Sequence, residues 1–351
     1  MNARNAGKLI SPALLMCLLF FQTQRAGAAP LVLGYYTNWS TYGDNFKPGN
    51  IASGVDEILY AFAEVGDCAV GTPQKENNYN RPGTCLVQKN AQGVILHSGT
   101  QDFKLYPTDA WSDFCVYNNK DGVNIGGLCN LGNALATNKP VLYSIGGWTL
   151  SAAIRGAIQP ANVSSFISSI IALLQKAESD AAAKGLTNKR FAGVDVDWEP
   201  NGNMWTIPQP KPQPPPPPDK DPGYVTVTIA DLTNYRNFLT QLKTALSAAG
   251  YSTLTIAMTA NPSVIADVNA KSPGYWTALA SAGVELNLMT YDYNGQAFPG
   301  TCTTTQFNSP LHGDSSNPCA DAKTFDTNDS VAALKAAGVP AASIGIGLPA
   351  Y

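Results

Sequence analysis

Arg190-Phe191-Ala192-Gly193-Val194-Asp195-Val196-Asp197-Trp198-Glu199 holds the strongest structural signal in the chain. Its small and apolar lead-in, followed by alternating valine and acid, reads as a strand buried on both faces. Successive side chains of a strand point to opposite faces. Asp195, Asp197 and Glu199 therefore form a column of three carboxylates, while Val194, Val196 and Trp198 face the other way. Like charges repel in such a column, and each unpaired ion is costly to desolvate. A carboxylic acid kept protonated by its neighbours is suited to act as a general acid. A calcium site or a solvated strand edge is the plainer reading. Calcium loops draw on Asn, Gly and carbonyl ligands, whereas the single glycine here precedes the acids. Chemistry is the better reading.

On either side of it, short apolar runs alternate with helical patterns. Strands are expected at Leu31–Tyr36, Glu57–Ala63, Val141–Gly146, Gly193–Glu199, Leu254–Ala260, Leu286–Tyr291 and Ile344–Leu348. Helical faces recur over Ser164–Lys184 and Asp231–Ala249, and a shorter one over Asp329–Ala337 is closed by Gly338 and Pro340. This alternation belongs to a parallel α/β fold, and seven strands approach the eight of a TIM (β/α)8 barrel. No eighth strand or helix follows Ile344–Leu348, so the expectation is a barrel incomplete at its C-terminus. Residues 29–351 are expected to form this one domain. The segment 207–223, with five consecutive prolines at Pro214–Pro218, should be extended polyproline II. It falls between a strand and its helix, so it reads as a long loop insertion on the catalytic face, not an interdomain linker. Trp205 and Tyr224 flank it and are placed to border a groove.

Residues 1–28 read as a secretory signal peptide. A basic stretch over Met1–Lys8 precedes the largely apolar Leu9–Phe21, and Ala26-Gly27-Ala28 offers a small-x-small cleavage site. The apolar run is short for a membrane span, so the expectation is a secreted monomer, extracellular or periplasmic, without stable membrane association. Six cysteines follow: Cys68, Cys85, Cys115, Cys129, Cys302 and Cys319. An even number in an exported chain reads as disulfides. Spacing leaves the pairing open; the local pairs 68–85, 115–129 and 302–319 would each staple one loop. With no CxxC and only His97 and His312, zinc sites and histidine triads find no support. A formal charge of −3 makes nucleic acid a poor partner. No cofactor is expected.

Further polar residues cluster at the C-terminal ends of the predicted strands, where barrel active sites are built. Gly34-Tyr35-Tyr36 ends the first strand. Tyr143-Ser144-Ile145-Gly146-Gly147-Trp148 ends the third, with glycines that would let a ligand lie against backbone and a tryptophan able to stack on it. Met289-Thr290-Tyr291-Asp292-Tyr293 ends the sixth, and alternation puts Met289, Tyr291 and Tyr293 on one face with Asp292 at the turn. Together these segments resemble glycoside hydrolase family 18, the chitinase family. Its signature strand, Asp-Gly-x-Asp-x-Asp-x-Glu, is matched by 192–199 except that Ala192 replaces the first acid. Ser144-Ile145-Gly146-Gly147 matches its Ser-x-Gly-Gly motif, and Met289-Thr290-Tyr291-Asp292 its Met-x-Tyr-Asp motif. Asn308-Ser309-Pro310-Leu311 and Leu348-Pro349-Ala350-Tyr351 look like later segments of the same family.

The resemblance implies a chitinase acting on β-1,4-linked N-acetylglucosamine polymers, with chitin or chito-oligosaccharide as its partner. Glu199 would protonate the glycosidic oxygen, and the substrate's own acetamido carbonyl would attack the sugar, with retention. Asp197 would orient the acetamido N–H, sharing a proton with Asp195. Tyr291 would hold the acetyl oxygen and Asp292 would contact the sugar. Met289, Trp148, Gly147 and Trp205 would line the groove, and Tyr35 and Ser144 would hydrogen-bond below the acids. Three features depart from the family pattern: Ala192, the missing eighth strand, and Pro200 directly after Glu199. The same chemistry in another groove would give an endo-β-N-acetylglucosaminidase acting on N-glycan cores. A non-catalytic chitin-binding lectin on this barrel usually lacks the terminal acid that Glu199 provides.

Overall fold

A computed structural model describes residues 30–66, 103–118, 124–148, 150–151, 153–200, 227–293, 306–316 and 325–349. The expected signal peptide, the proline-rich insertion, Trp205, and Cys68, Cys85, Cys302 and Cys319 lie outside the described residues. The strands described are β1 (Leu33–Thr37), β2 (Glu57–Val65), β3 (Leu105–Pro107), β4 (Val116–Asn118), β5 (Asn124–Gly126), β6 (Val141–Gly146), β7 (Gly193–Asp197), β8 (Thr253–Met258), β9 (Glu285–Leu288) and β10 (Ile344–Ile346).

Seven of these strands run parallel in the order β1-β2-β6-β7-β8-β9-β10. They are the seven read from the sequence, with ends differing by a few residues. The result is a partial TIM barrel: successive strands lie side by side with helices between them. Among the described residues no eighth parallel strand joins β10 to β1. Short β3 adds antiparallel to β2, and β4 pairs with β5. These pieces, between β2 and β6, were not expected, since three-residue strands carry too little periodicity to detect.

Burial on both faces of the sheet explains its unbroken apolar runs. Val194, Val196 and Trp198 are buried on the side of β7 away from the acids. There Trp198 lies 4.7 Å from the Tyr235 ring of the helix Ile229–Ala248. The neighbouring helix Val163–Ala183 stacks Phe166 on Phe238 at 5.2 Å. Complete burial of such a side chain is worth about 3 kcal/mol. Gly193 of the signature is needed for strand approach: a Cβ there would lie 1.7 Å from the Thr253 carbonyl oxygen of β8.

The helix that follows the long connection after β7 is pinned at its start. Thr228 caps it, and Asp231 accepts a bidentate pair from Arg155 at 2.9 and 2.8 Å. Burial alone would push the Asp231 carboxyl up, but Arg155 and Thr228 together hold it below its ordinary value. The helices Pro262–Lys271 and Tyr275–Ser281 escaped the sequence reading, although the first carried a start signal. Asn261 caps it through Ser263 and Val264, with Pro262 at the first position.

Cys115 is bonded to Cys129, one of the three expected local pairs. Among the described residues no helix is long and apolar enough to cross a membrane.

Candidate active site

The acidic column stands at the C-terminal end of β7. The strand ends at Asp197 rather than at Glu199, as the alternation had suggested, and the last two residues run on beyond the ladder. They are still buried: Asp195 is wholly enclosed, and Asp197 and Glu199 are 6 % and 7 % exposed. The column is therefore not a solvated edge.

Asp195 is saturated with hydroxyls. Its Oδ2 accepts from Tyr35 Oη at 2.9 Å and Ser144 Oγ at 2.6 Å, and its Oδ1 from Thr255 Oγ1 at 2.5 Å. Strand register produces this arrangement, because Ser144, Asp195 and Thr255 sit opposite one another across β6, β7 and β8. Burial raises the Asp195 carboxyl above its ordinary value, while the Ser144, Thr255 and Tyr35 hydroxyls pull it part of the way back. Tyr35 is 45 % exposed, yet its hydroxyl reaches inward to the acid.

Asp197 is in the opposite situation. Among the described residues its Oδ1 is buried without a hydrogen-bond partner. Burial first, then the charges of Glu199 and Asp195, hold its carboxyl well above the ordinary value of 3.8. The Asp195 charge thus adds to the cost of ionising Asp197. The hydroxyls around Asp195 favour its ionised form, and Asp197 Oδ1 has no such donor among the described residues.

The turn after β6 lies against this column. Gly146 and Gly147 have φ of +106° and +94°. A Cβ on Gly146 would meet the Asp197 carbonyl oxygen at 2.2 Å, and one on Gly147 the Phe62 ring at 2.9 Å. Their lack of side chains makes room for the Asp197 carbonyl and the Phe62 ring. Trp148 follows and is 42 % exposed. A second exposed aromatic, Trp39 after β1, lies 6.2 Å from Phe62.

At the end of β9 the alternation expected from the sequence does not persist. The strand stops at Leu288, and Asp292 takes a left-handed φ of +54°. Met289 is buried and the Tyr291 ring packs over Gly347 beyond β10. Tyr293 turns away from that face: its hydroxyl bonds Ser330 at 2.8 Å and its ring meets Phe325 at 4.4 Å. Asn308 fixes the turn, donating to the Asp292 carboxylate at 2.8 Å and accepting from the Asp292 N–H at 3.2 Å.

The structure thus brings Tyr35 and Ser144 onto Asp195, and places Gly147 against Asp197. Two residues were missed. Thr255 lies in a predicted strand and points inward by the same alternation that exposed the acids, so its signal was available. Ser151, whose hydroxyl reaches the backbone of Gly147, Asp197 and Glu199, had no sequence signal.

The model of glycosyl hydrolases family 18 matches residues 31–351. The chain belongs to this family. It is 27 % identical to Chitinase A1 of Niallia circulans over 94 % of this chain and 43 % of that protein. It is also 27 % identical to Endochitinase 1 of Metarhizium robertsii, over 90 % of this chain and 59 % of that one. The chain spans about half the length of these curated relatives. Chitinase ChiA74 from Bacillus thuringiensis superposes with a TM-score of 0.63 at 22 % identity, over 92 % of this chain and 48 % of the other. At that identity the likeness is one of fold.

Proposed function

We propose that this family 18 protein is a chitinase, hydrolysing β-1,4-linked N-acetylglucosamine polymers with retention of configuration. One observation carries the reading: the buried column in which Asp195 is saturated by three hydroxyls while Asp197 Oδ1 has no hydrogen-bond partner among the described residues. Leaving a buried carboxyl oxygen unmatched is unfavourable, so the arrangement is best explained by a ligand group that completes it. Glu199 is the general acid for the glycosidic oxygen. The sugar's acetamido carbonyl attacks its own anomeric carbon and the C1–O bond to the leaving sugar breaks as the Glu199 proton passes to that oxygen. This substrate-assisted route is the family's exception to two-carboxylate hydrolysis. Asp197 holds the acetamido N–H and, as the oxazolinium ion forms, stabilises its positive charge. Water then opens that ion, giving up its proton to Glu199.

Tyr35, Ser144 and Thr255 keep Asp195 in place beneath Asp197. Tyr291 holds the acetyl oxygen, Asp292 contacts the same sugar, and Met289 lines its pocket. Trp148 borders the groove. The reading includes export through the 1–28 leader to an extracellular or periplasmic site, which the Cys115–Cys129 disulfide supports. It also includes action as a monomer.

The test is a parallel assay of the wild-type chain on chitohexaose and on an N-glycosylated protein. Release of shorter chito-oligosaccharides with the glycoprotein left intact is the expected result. Glycan release instead would make it an endo-β-N-acetylglucosaminidase, and binding without turnover would make it a lectin.

A further inference from the structure

We propose that Ser151 is a positioning residue for Glu199, tying the turn after β6 to the chain beyond β7 and so fixing where the acid is presented. The inference rests on the role proposed above for Glu199. Because β7 ends at Asp197, the strand ladder does not hold the backbone of Glu199. Ser151 does. Its buried Oγ accepts from the Glu199 N–H at 2.8 Å, donates to the Gly147 carbonyl at 2.9 Å, and lies 3.3 Å from the Asp197 carbonyl.

A hydroxyl has one proton and two lone pairs, so accepting from Glu199 while donating to Gly147 uses it well. The circuit closes through the Gly147 N–H, which donates to the Asp197 carbonyl at 2.9 Å. Ser151 is itself held in place, since its carbonyl accepts from the Ile154 N–H at 3.2 Å as the following helix begins. One side chain thus locks the backbone on both sides of Asp197 and Glu199 to a single turn.

Alanine at this position would leave the buried Glu199 N–H without its acceptor. A buried amide relieves that loss by moving the chain toward another partner. A displacement of about 1 Å at a reacting group can lower turnover by about 100-fold. Substrate contacts are made by other residues, so binding should not follow.

The experiment compares wild type, Ser151→Ala and Ser151→Thr on chitotetraose, below the thermal midpoint of each. Ser151→Ala is expected to lower kcat by about 10–100-fold with KM unchanged, and Ser151→Thr, which keeps the hydroxyl, to recover most of the loss. A folded alanine variant with wild-type kcat overturns the inference, and so does a loss confined to KM or shared equally by the threonine variant. If the alanine variant does not fold, Ser151→Cys takes its place, being nearly isosteric but a weak hydrogen-bonding group. Wild-type kcat in the cysteine variant overturns the inference in the same way. Failure of the wild type to hydrolyse the substrate would sink the proposed function and this inference together, whereas normal wild-type turnover with an indifferent Ser151 sinks this inference alone.

Discussion

Glu199→Gln should lower kcat on chito-oligosaccharides by about 10²–10⁴-fold, the usual contribution of a positioned general acid. Glutamine has nearly the same shape and keeps the backbone N–H that bonds Ser151, so the site should remain assembled. It has no acidic proton to give to the departing sugar oxygen. KM and the thermal midpoint should therefore change little while turnover collapses. Aryl glycosides with good leaving groups should suffer less, because their leaving oxygen needs less help from a proton. Wild-type-like turnover of chitotetraose by the variant would remove Glu199 from its role.

Asp197→Asn should also lose about 10²–10³-fold in kcat, because an amide cannot stabilise the positive charge that develops on the oxazolinium ring. Chito-oligosaccharide should still bind. The variant should also show a stability change of the opposite sign. In the folded state the Asp197 carboxyl titrates well above 3.8, raised by burial, then by Glu199 and Asp195. A group raised in this way contributes its full stability below its unfolded value and loses it as the pH rises toward the folded one. At pH 7 the native acid thus carries a penalty that asparagine escapes, and Asp197→Asn should unfold at a higher temperature than wild type. The gap should close as the pH falls below about 4. Equal midpoints at pH 7 would mean that Asp197 is not the strained member of the pair.

The opposition between function and stability at Asp197 explains why the site was so legible in the sequence. Alternation of acids with Val194, Val196 and Trp198 survives in the structure because both faces of β7 are buried, and a one-residue slip would drive the acids among the helices. The same reasoning placed Ser144 and would have placed Thr255, since both are register partners of Asp195. It failed at the end of β9. There the left-handed Asp292 breaks the alternation and sends Tyr293 toward the helix Thr327–Ala336, and a single φ of this kind leaves no periodic trace. Ser151 was illegible for a related reason: it acts on backbone atoms from a turn, where no spacing rule links it to its partners. The glycines stand out in the sequence, but only the packed structure shows the Asp197 carbonyl and Phe62 filling the space beside them.

In the proposed mechanism the substrate's own acetamido group, held by Asp197, does the work of an enzyme nucleophile while Glu199 supplies the proton. The most direct test is proton NMR of the anomeric region during the first minutes of chitotetraose hydrolysis, before the products mutarotate. Newly formed reducing ends should appear as the β-anomer, the retained configuration. An initial product in the α-configuration would mean direct attack by water, and would contradict the account.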